Sequence, residues 1–230
     1  MTVDIRNFPN RPALAAALAA QVSDDLRSAI AERGRGSIAV PGGTTPEPFL
    51  IELAGRPIDW RSVLITLTDE RCVGVDDARS NEGLVRRSLL SGPASAAMFA
   101  PLFPDAPSIE DALAKAAGAL DTVLPLSVCV LGMGEDGHTA SLFPGAERLS
   151  EALDPACGET VMAIRAPGAP ETRITLTLPV LNAADHIYLL ITGAAKRAAL
   201  DRALVSGPAA EFPVRAVLGG RKPVTVFHSP

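Results

Sequence analysis

The chemistry in this 230-residue chain concentrates in the run LGMGEDGHTASLFPG, Leu131 to Gly145. His138 stands there in a glycine-rich turn, directly behind an apolar run from Leu126 to Leu131 that reads as a buried strand. Imidazole is the side chain whose ordinary pKa lies near neutrality, so it can take and return a proton within one catalytic cycle. Gly132, Gly134 and Gly137 admit dihedrals closed to other residues and let a ligand approach the main chain. Two other readings compete with a catalytic histidine. The three glycines also satisfy the G-x-G-x-x-G dinucleotide fingerprint behind a strand. Against that, Glu135 and Asp136 would set negative charge beside a pyrophosphate, and Pro144 crowds any helix that follows. A purely structural turn capped by the histidine is the third reading.

Other strand ends carry groups suited to an anion. Pro41-Gly42-Gly43-Thr44-Thr45-Pro46 joins a strand to a helix and offers N–H groups, hydroxyls and the positive end of a helix dipole. The same residues also suit a tight turn in which Thr44 or Thr45 is the N-cap. After the next strand come Asp69, Glu70 and Arg71, where a carboxylate pair can orient a sugar hydroxyl or polarise a histidine and Arg71 can hold phosphate or a developing oxyanion. A solvated loop ion pair is the bland alternative. Arg173 opens the segment RITLTLPVLN, and Lys196 falls in the first turn of a helix, where the dipole opposes a cation unless an anion sits there. Together these strand ends predict one phosphate-binding crevice at the C-terminal edge of a sheet. His186 and His228 have no ligand spacing to acids or cysteines, so no metal site is expected.

The elements that must position these residues alternate between strand and helix patterns, the signature of an α/β fold with a largely parallel sheet. Strands are predicted at Ser37–Val40, Val63–Leu67, Ala97–Ala100, Leu126–Leu131, Val161–Arg165, Ile187–Ile191 and Val224–Phe227. Helices are predicted at Pro12–Arg33, Thr45–Ala54, Asn81–Leu90, Ser108–Leu124, Pro179–Ala183 and Ala194–Leu204. The alanine-rich start faintly resembles a secretion signal, but Leu14, Leu18, Val22, Leu26 and Ile30 recur every four residues with charges between them, as in one amphipathic helix. No apolar run reaches membrane-spanning length. A net charge of −5 argues against a general nucleic-acid binder. Cys72, Cys129 and Cys157, odd in number and widely spaced, read as reduced thiols of a cytoplasmic protein. Without a linker or repeat, residues 1–230 are expected to form one domain, working as a monomer on a small molecule.

Taken in order, PGGTTP, TDERCVGVDDARSNEGLVRRSLL, LGMGEDGHTASLFPG and RITLTLPVLNAADHIYLLITGAAKR resemble the 6-phosphogluconolactonase family, hydrolases of the pentose phosphate pathway, over essentially the whole chain. The resemblance implies a Rossmann-like three-layer α/β/α sandwich shared with glucosamine-6-phosphate deaminase and ribose-5-phosphate isomerase. It implies hydrolysis of 6-phospho-D-glucono-1,5-lactone to 6-phosphogluconate without an organic cofactor. It further implies that Gly42, Gly43, Thr44, Arg173 and Lys196 hold the phosphate, while Asp69, Arg71 and His138 lie near the lactone. Pro41 departs from the serine common in the family and removes a hydroxyl and an N–H from one edge of the phosphate loop. The deaminase branch has a carboxylate five residues after its histidine, where this chain has Phe143; that difference favours hydrolysis. His138 is then expected to act as general base toward water and as general acid toward the departing ring oxygen.

Overall fold

Every strand of the large sheet runs the same way. The computed structural model describes residues 3–122 and 124–230. The large sheet comprises β1 (Val3–Asn7), β2 (Gly36–Val40), β3 (Val63–Leu67), β5 (Met98–Phe99), β6 (Val128–Gly132), β9 (His186–Thr192) and β10 (Val224–Ser229), in the order β1-β10-β9-β6-β2-β3-β5. A second, antiparallel sheet is built from β4 (Asp69–Arg71), β8 (Arg173–Leu176) and β7 (Val161–Ile164), in the order β4-β8-β7.

The apolar runs explain the large sheet. All five residues of β2 and all five of β3 are buried, as expected for parallel strands covered on both faces. The helices are α1 (Arg11–Arg33), α2 (Glu47–Ala54), α3 (Asn81–Ser88), α4 (Ile109–Asp121), α5 (Leu149–Ala152), α6 (Leu178–Ala183), α7 (Ala194–Leu204) and α8 (Val214–Leu218). From β1 through β2 and β3 to β5 the chain steps one way across the sheet; from β6 to β9 to β10 it steps back. Right-handed crossovers therefore put α1 to α3 on one face and α4 with α6 to α8 on the other, giving the three layers. The direction reverses between β2 and β6, which are hydrogen-bonded neighbours (Ile38 opposite Val128). Open α/β sheets bind ligands outside the strand ends at such a reversal.

The helix expectations hold with small shifts. α1 starts behind Asn10, whose side chain accepts from the Ala13 N–H, and ends at Gly34 with φ 71°. It buries Leu14, Leu18, Val22 and Leu26, the stripe that separates it from a secretion signal. No helix among the described residues is long and apolar enough to cross a membrane. Ser108 caps α4, which stops at Asp121; Val123, inside the predicted helix, lies outside the described residues. The reading of Thr44 or Thr45 as an N-cap is corrected: α2 begins behind Pro46, with no side-chain cap. The predicted strand at Val161–Arg165 forms as β7, but in the small sheet. A single residue separates the large sheet's β3 from the small sheet's β4. Thr68 joins β3 to β4, donating its N–H to the Val40 carbonyl and accepting at its own carbonyl from Leu176 N.

Candidate active site

The histidine turn is shaped by what its glycines leave room for. Gly134 N–H donates to the His138 carbonyl and Gly137 N–H to the Gly134 carbonyl. A Cβ on Gly134 would lie 2.2 Å from His138 Nδ1, and one on Gly137, where φ is 78°, would lie 2.2 Å from the Phe212 ring. The glycines thus make space for protein side chains. No helix follows the turn; Thr139 and Leu142 form an isolated bridge, and the next helix is α5. That geometry removes the dinucleotide reading, which needs a helix N-terminus behind the third glycine.

His138 is held on two sides. Its Nδ1–H donates to Asp136 Oδ1 at 2.6 Å, and the same oxygen accepts from the His138 main-chain N–H at 3.1 Å. The carboxylate selects the tautomer with the proton on Nδ1, leaving Nε2 a free acceptor with no protein partner among the described residues. Phe143 stacks on the ring, with centroids 4.0 Å apart.

His138 lines a cavity of about 140 Å³ at the sheet reversal, bounded by Gly42 after β2 and Gly132 at the end of β6. Larger hollows exist, such as one of about 420 Å³ beside the Ala166–Thr172 segment, but that one holds no histidine. The small sheet forms the other wall. Asp69 is buried and accepts from the Ser141 hydroxyl at 2.5 Å and the Thr68 hydroxyl at 3.3 Å. Ser141 belongs to the histidine segment and also donates its N–H to Thr175 Oγ1, so it pins that segment to β8.

Arg71 and Arg173 stand directly opposite each other on β4 and β8. Like charges in that register repel. Each guanidinium keeps a buried Nε without a partner; Arg71 also donates to the Arg79 carbonyl, and Arg173 lies 3.6 Å from Glu171 and over the Phe143 ring. Burial first, and Arg71 second, hold Arg173 below the ordinary guanidinium range. Lys196, behind Gly193 in the first turn of α7, makes no hydrogen bond or ion pair among the described residues. Burial lowers its pKa, Glu135 opposes that shift and Arg11 adds to it. Two buried N–H groups without partners and an unpaired ammonium around one cavity describe a place for an anion.

Gly42, Asp69, Arg71, His138, Arg173 and Lys196 therefore meet at this cavity. Gly43 and Thr44 do not line it; both are exposed on the outer side of the turn, with Gly43 at φ 98°. Pro41 does line it. His186 and His228 stand apart, 3.9 Å from Asp25 and 3.0 Å from Asn7 respectively. The three cysteines are free, and burial pushes the Cys129 and Cys72 thiols up to about 12 and about 11, away from nucleophilic use.

Sequence reasoning missed Ser141 and Asn81, took Asp136 only as charge unwelcome beside a pyrophosphate, and placed Glu70 in the acidic pair before Arg71 without its bracing role. Asn81, at the first turn of α3, lines the cavity and donates through Nδ2 to the Asp69 carbonyl. Glu70, buried behind that wall, accepts from the N–H groups of Arg71, Asn81 and Glu82 and from the Ser80 hydroxyl, so it ties β4 to the start of α3. A usable signal was the spacing of Ser80-Asn81-Glu82 behind the DER triplet, since a helix start needs acceptors for its first N–H groups.

Known proteins resemble this chain over nearly its whole length. The family model described as glucosamine-6-phosphate isomerases/6-phosphogluconolactonase matches residues 9–226. A protein of Mesorhizobium japonicum named 6-phosphogluconolactonase is 50% identical over 225 residues, covering 97% of this chain and 94% of its own. One of the same name from Rhizobium meliloti is 44% identical, covering 100% of both chains. The crystal structure of a 6-phosphogluconolactonase from Shewanella baltica superposes with a TM-score of 0.95 at 39% identity, covering 99% of this chain and 98% of that one. A monomeric glucosamine-6-phosphate deaminase shares the fold, with a TM-score of 0.78 at 18% identity over 98% of this chain and 97% of that chain.

Proposed function

The chain belongs to the glucosamine-6-phosphate isomerase/6-phosphogluconolactonase family, and from that premise we propose that it hydrolyses 6-phospho-D-glucono-1,5-lactone to 6-phospho-D-gluconate in the pentose phosphate pathway. The observation that carries the reading is His138, oriented by Asp136, with a free Nε2 on a cavity that also presents Arg71, Arg173 and Lys196.

The reaction needs one water and one proton carrier. Nε2 accepts a proton as the water oxygen bonds to the lactone carbonyl carbon, and the carbonyl oxygen takes up the displaced electron pair. As the tetrahedral intermediate collapses, the bond to the ring oxygen breaks, and the imidazolium returns its proton to that oxygen. The products are a hydroxyl and a carboxylic acid, which ionises. A positioned base of this kind contributes roughly 10²- to 10⁴-fold. Asp136 stabilises the imidazolium that forms between the two steps.

The cations divide between two negative charges. Arg173 and Lys196 hold the phosphate with Gly42, and the outer residues Gly43 and Thr44 keep the turn that presents Gly42. Arg71 faces the developing oxyanion, and Asp69, anchored by Ser141, orients the attacking water or a substrate hydroxyl. Atoms and charges balance without a metal or organic cofactor. The protein acts on a small molecule as a one-domain cytoplasmic monomer.

The test is consumption of the phosphorylated lactone above its spontaneous hydrolysis. Wild type is expected to accelerate it, and His138→Ala to lose most of that acceleration while still binding phosphate. Equal turnover of unphosphorylated gluconolactone would refute the phosphate grip.

A further inference from the structure

Among the residues lining the cavity, Asn81 is nearly inaccessible, at 2% exposure, and its amide orientation is set by the protein. Nδ2 donates to the Asp69 carbonyl at 2.8 Å, which turns Oδ1 the other way. Oδ1 packs against Gly42 so closely that a Cβ there would lie 1.7 Å from it. No protein donor reaches Oδ1 among the described residues. The oxygen itself is not sealed off, so water serves it from the cavity in the free protein, and a ligand that displaces that water must bring a donor of its own.

The cavity's other side-chain acceptors, His138 Nε2 and the Asp69 carboxylate, are engaged by the reaction itself in the lactonase reading. Arg71, Arg173 and Lys196 can only donate. The Asp69 carboxylate already accepts from Ser141 and Thr68, and the Gly132 carbonyl accepts from the Thr139 hydroxyl. An aldonolactone carries hydroxyls at C2, C3 and C4 that must donate somewhere when they leave water. We propose that Asn81 Oδ1 accepts one of these ring hydroxyls, making Asn81 a substrate-selecting residue, and that Gly42 lacks a side chain to leave that oxygen in place. This assignment rests on the lactonase reading and adds to it the group that senses the sugar rather than its phosphate.

A uniform loss of activity would mean only that Asn81 braces Asp69, so the experiment compares substrates. Values of kcat/KM are measured for 6-phosphogluconolactone and for its 2-deoxy, 3-deoxy and 4-deoxy analogues, each corrected for spontaneous hydrolysis, with wild type, Asn81→Ala and Gly42→Ala. Wild type is expected to lose about tenfold or more on one deoxy lactone, the size of a lost hydrogen bond. Asn81→Ala is expected to lose a similar factor on the full lactone, over and above any loss on that same deoxy lactone. Gly42→Ala, which keeps the amide but displaces its oxygen, should repeat this selective pattern even if Asn81→Ala folds poorly. Equal losses on all four lactones in both variants, or no loss on any, would overturn the assignment while leaving the lactonase function standing. Absence of wild-type turnover of the full lactone would overturn the function and the assignment together.

Discussion

One oxygen of Asp136 serves His138 twice, accepting from Nδ1 at 2.6 Å and from the main-chain N–H at 3.1 Å. The double contact fixes both the tautomer and the ring against its own backbone. Asp136→Asn is expected to lower kcat by about 10²-fold, because an amide no longer stabilises the imidazolium that forms during turnover. KM should change little, since Asp136 does not line the cavity. Steady-state kinetics at neutral pH separate the two parameters; a large rise in KM with unchanged kcat would contradict the role.

The two glycines of the histidine turn should fail differently. Gly134→Ala places a methyl 2.2 Å from the His138 ring in a backbone conformation that alanine adopts, so kcat should fall at least tenfold while Tm moves only modestly. Gly137→Ala meets the Phe212 ring at φ 78° and should instead cost stability of about 2 kcal/mol. Thermal melts beside kcat values distinguish these outcomes.

Lys196 should trade stability for binding. Burial disfavours its ammonium form in the folded protein, whereas the unfolded chain carries that charge freely. Its folded pKa lies below its ordinary value of 10.5, so the charge penalises folding at neutral pH, and the penalty fades as pH rises through the folded pKa toward 10.5. Lys196→Met should therefore raise Tm at pH 7 and raise KM by about tenfold or more. Inorganic phosphate should raise the Tm of wild type more than that of the variant. In wild type, KM should climb as alkaline pH neutralises the ammonium.

Glu70 is expected to matter for stability. Glu70→Ala leaves three backbone N–H groups and the Ser80 hydroxyl without their acceptor, at a cost of about 3 kcal/mol in urea denaturation. Burial raises the Glu70 pKa above its ordinary 4.5, outweighing the N–H groups that favour the carboxylate. A raised acid contributes most below 4.5 and loses part of that contribution as pH rises through its folded pKa. The difference between wild type and variant should accordingly shrink from pH 4 toward pH 8.

Much of this architecture is readable from residues alone, for a physical reason. β2, β3, β6, β9 and β10 are apolar runs because both faces of a parallel strand are covered, and the groups behind them collect at one edge by topology. β4 escapes such reading: Asp-Glu-Arg looks like solvent-facing charge, and it is buried only because β8 pairs with it and Ser141 and Asn81 supply partners from distant segments. Asp136 was legible only as unwelcome negative charge beside a phosphate. Its service to His138 depends on a side chain curling back over two residues, which no periodicity announces. Asn81 was legible as the start of a helix, whereas its amide is set by Asp69, twelve positions away.

The single-residue link at Thr68 has a consequence for affinity. His138 and Lys196 are carried by segments of the large sheet, Arg71 and Arg173 by the small one, and a loose connection would let thermal motion spread the two halves apart. Thr68 is bonded to both sheets, to Val40 on one side and Leu176 on the other. On the lactonase reading, halves tied together in this way leave binding less entropy to spend on assembling them. The same link keeps Arg71 and Arg173 facing each other, so on the lactonase reading an anion between them relieves a repulsion already in place.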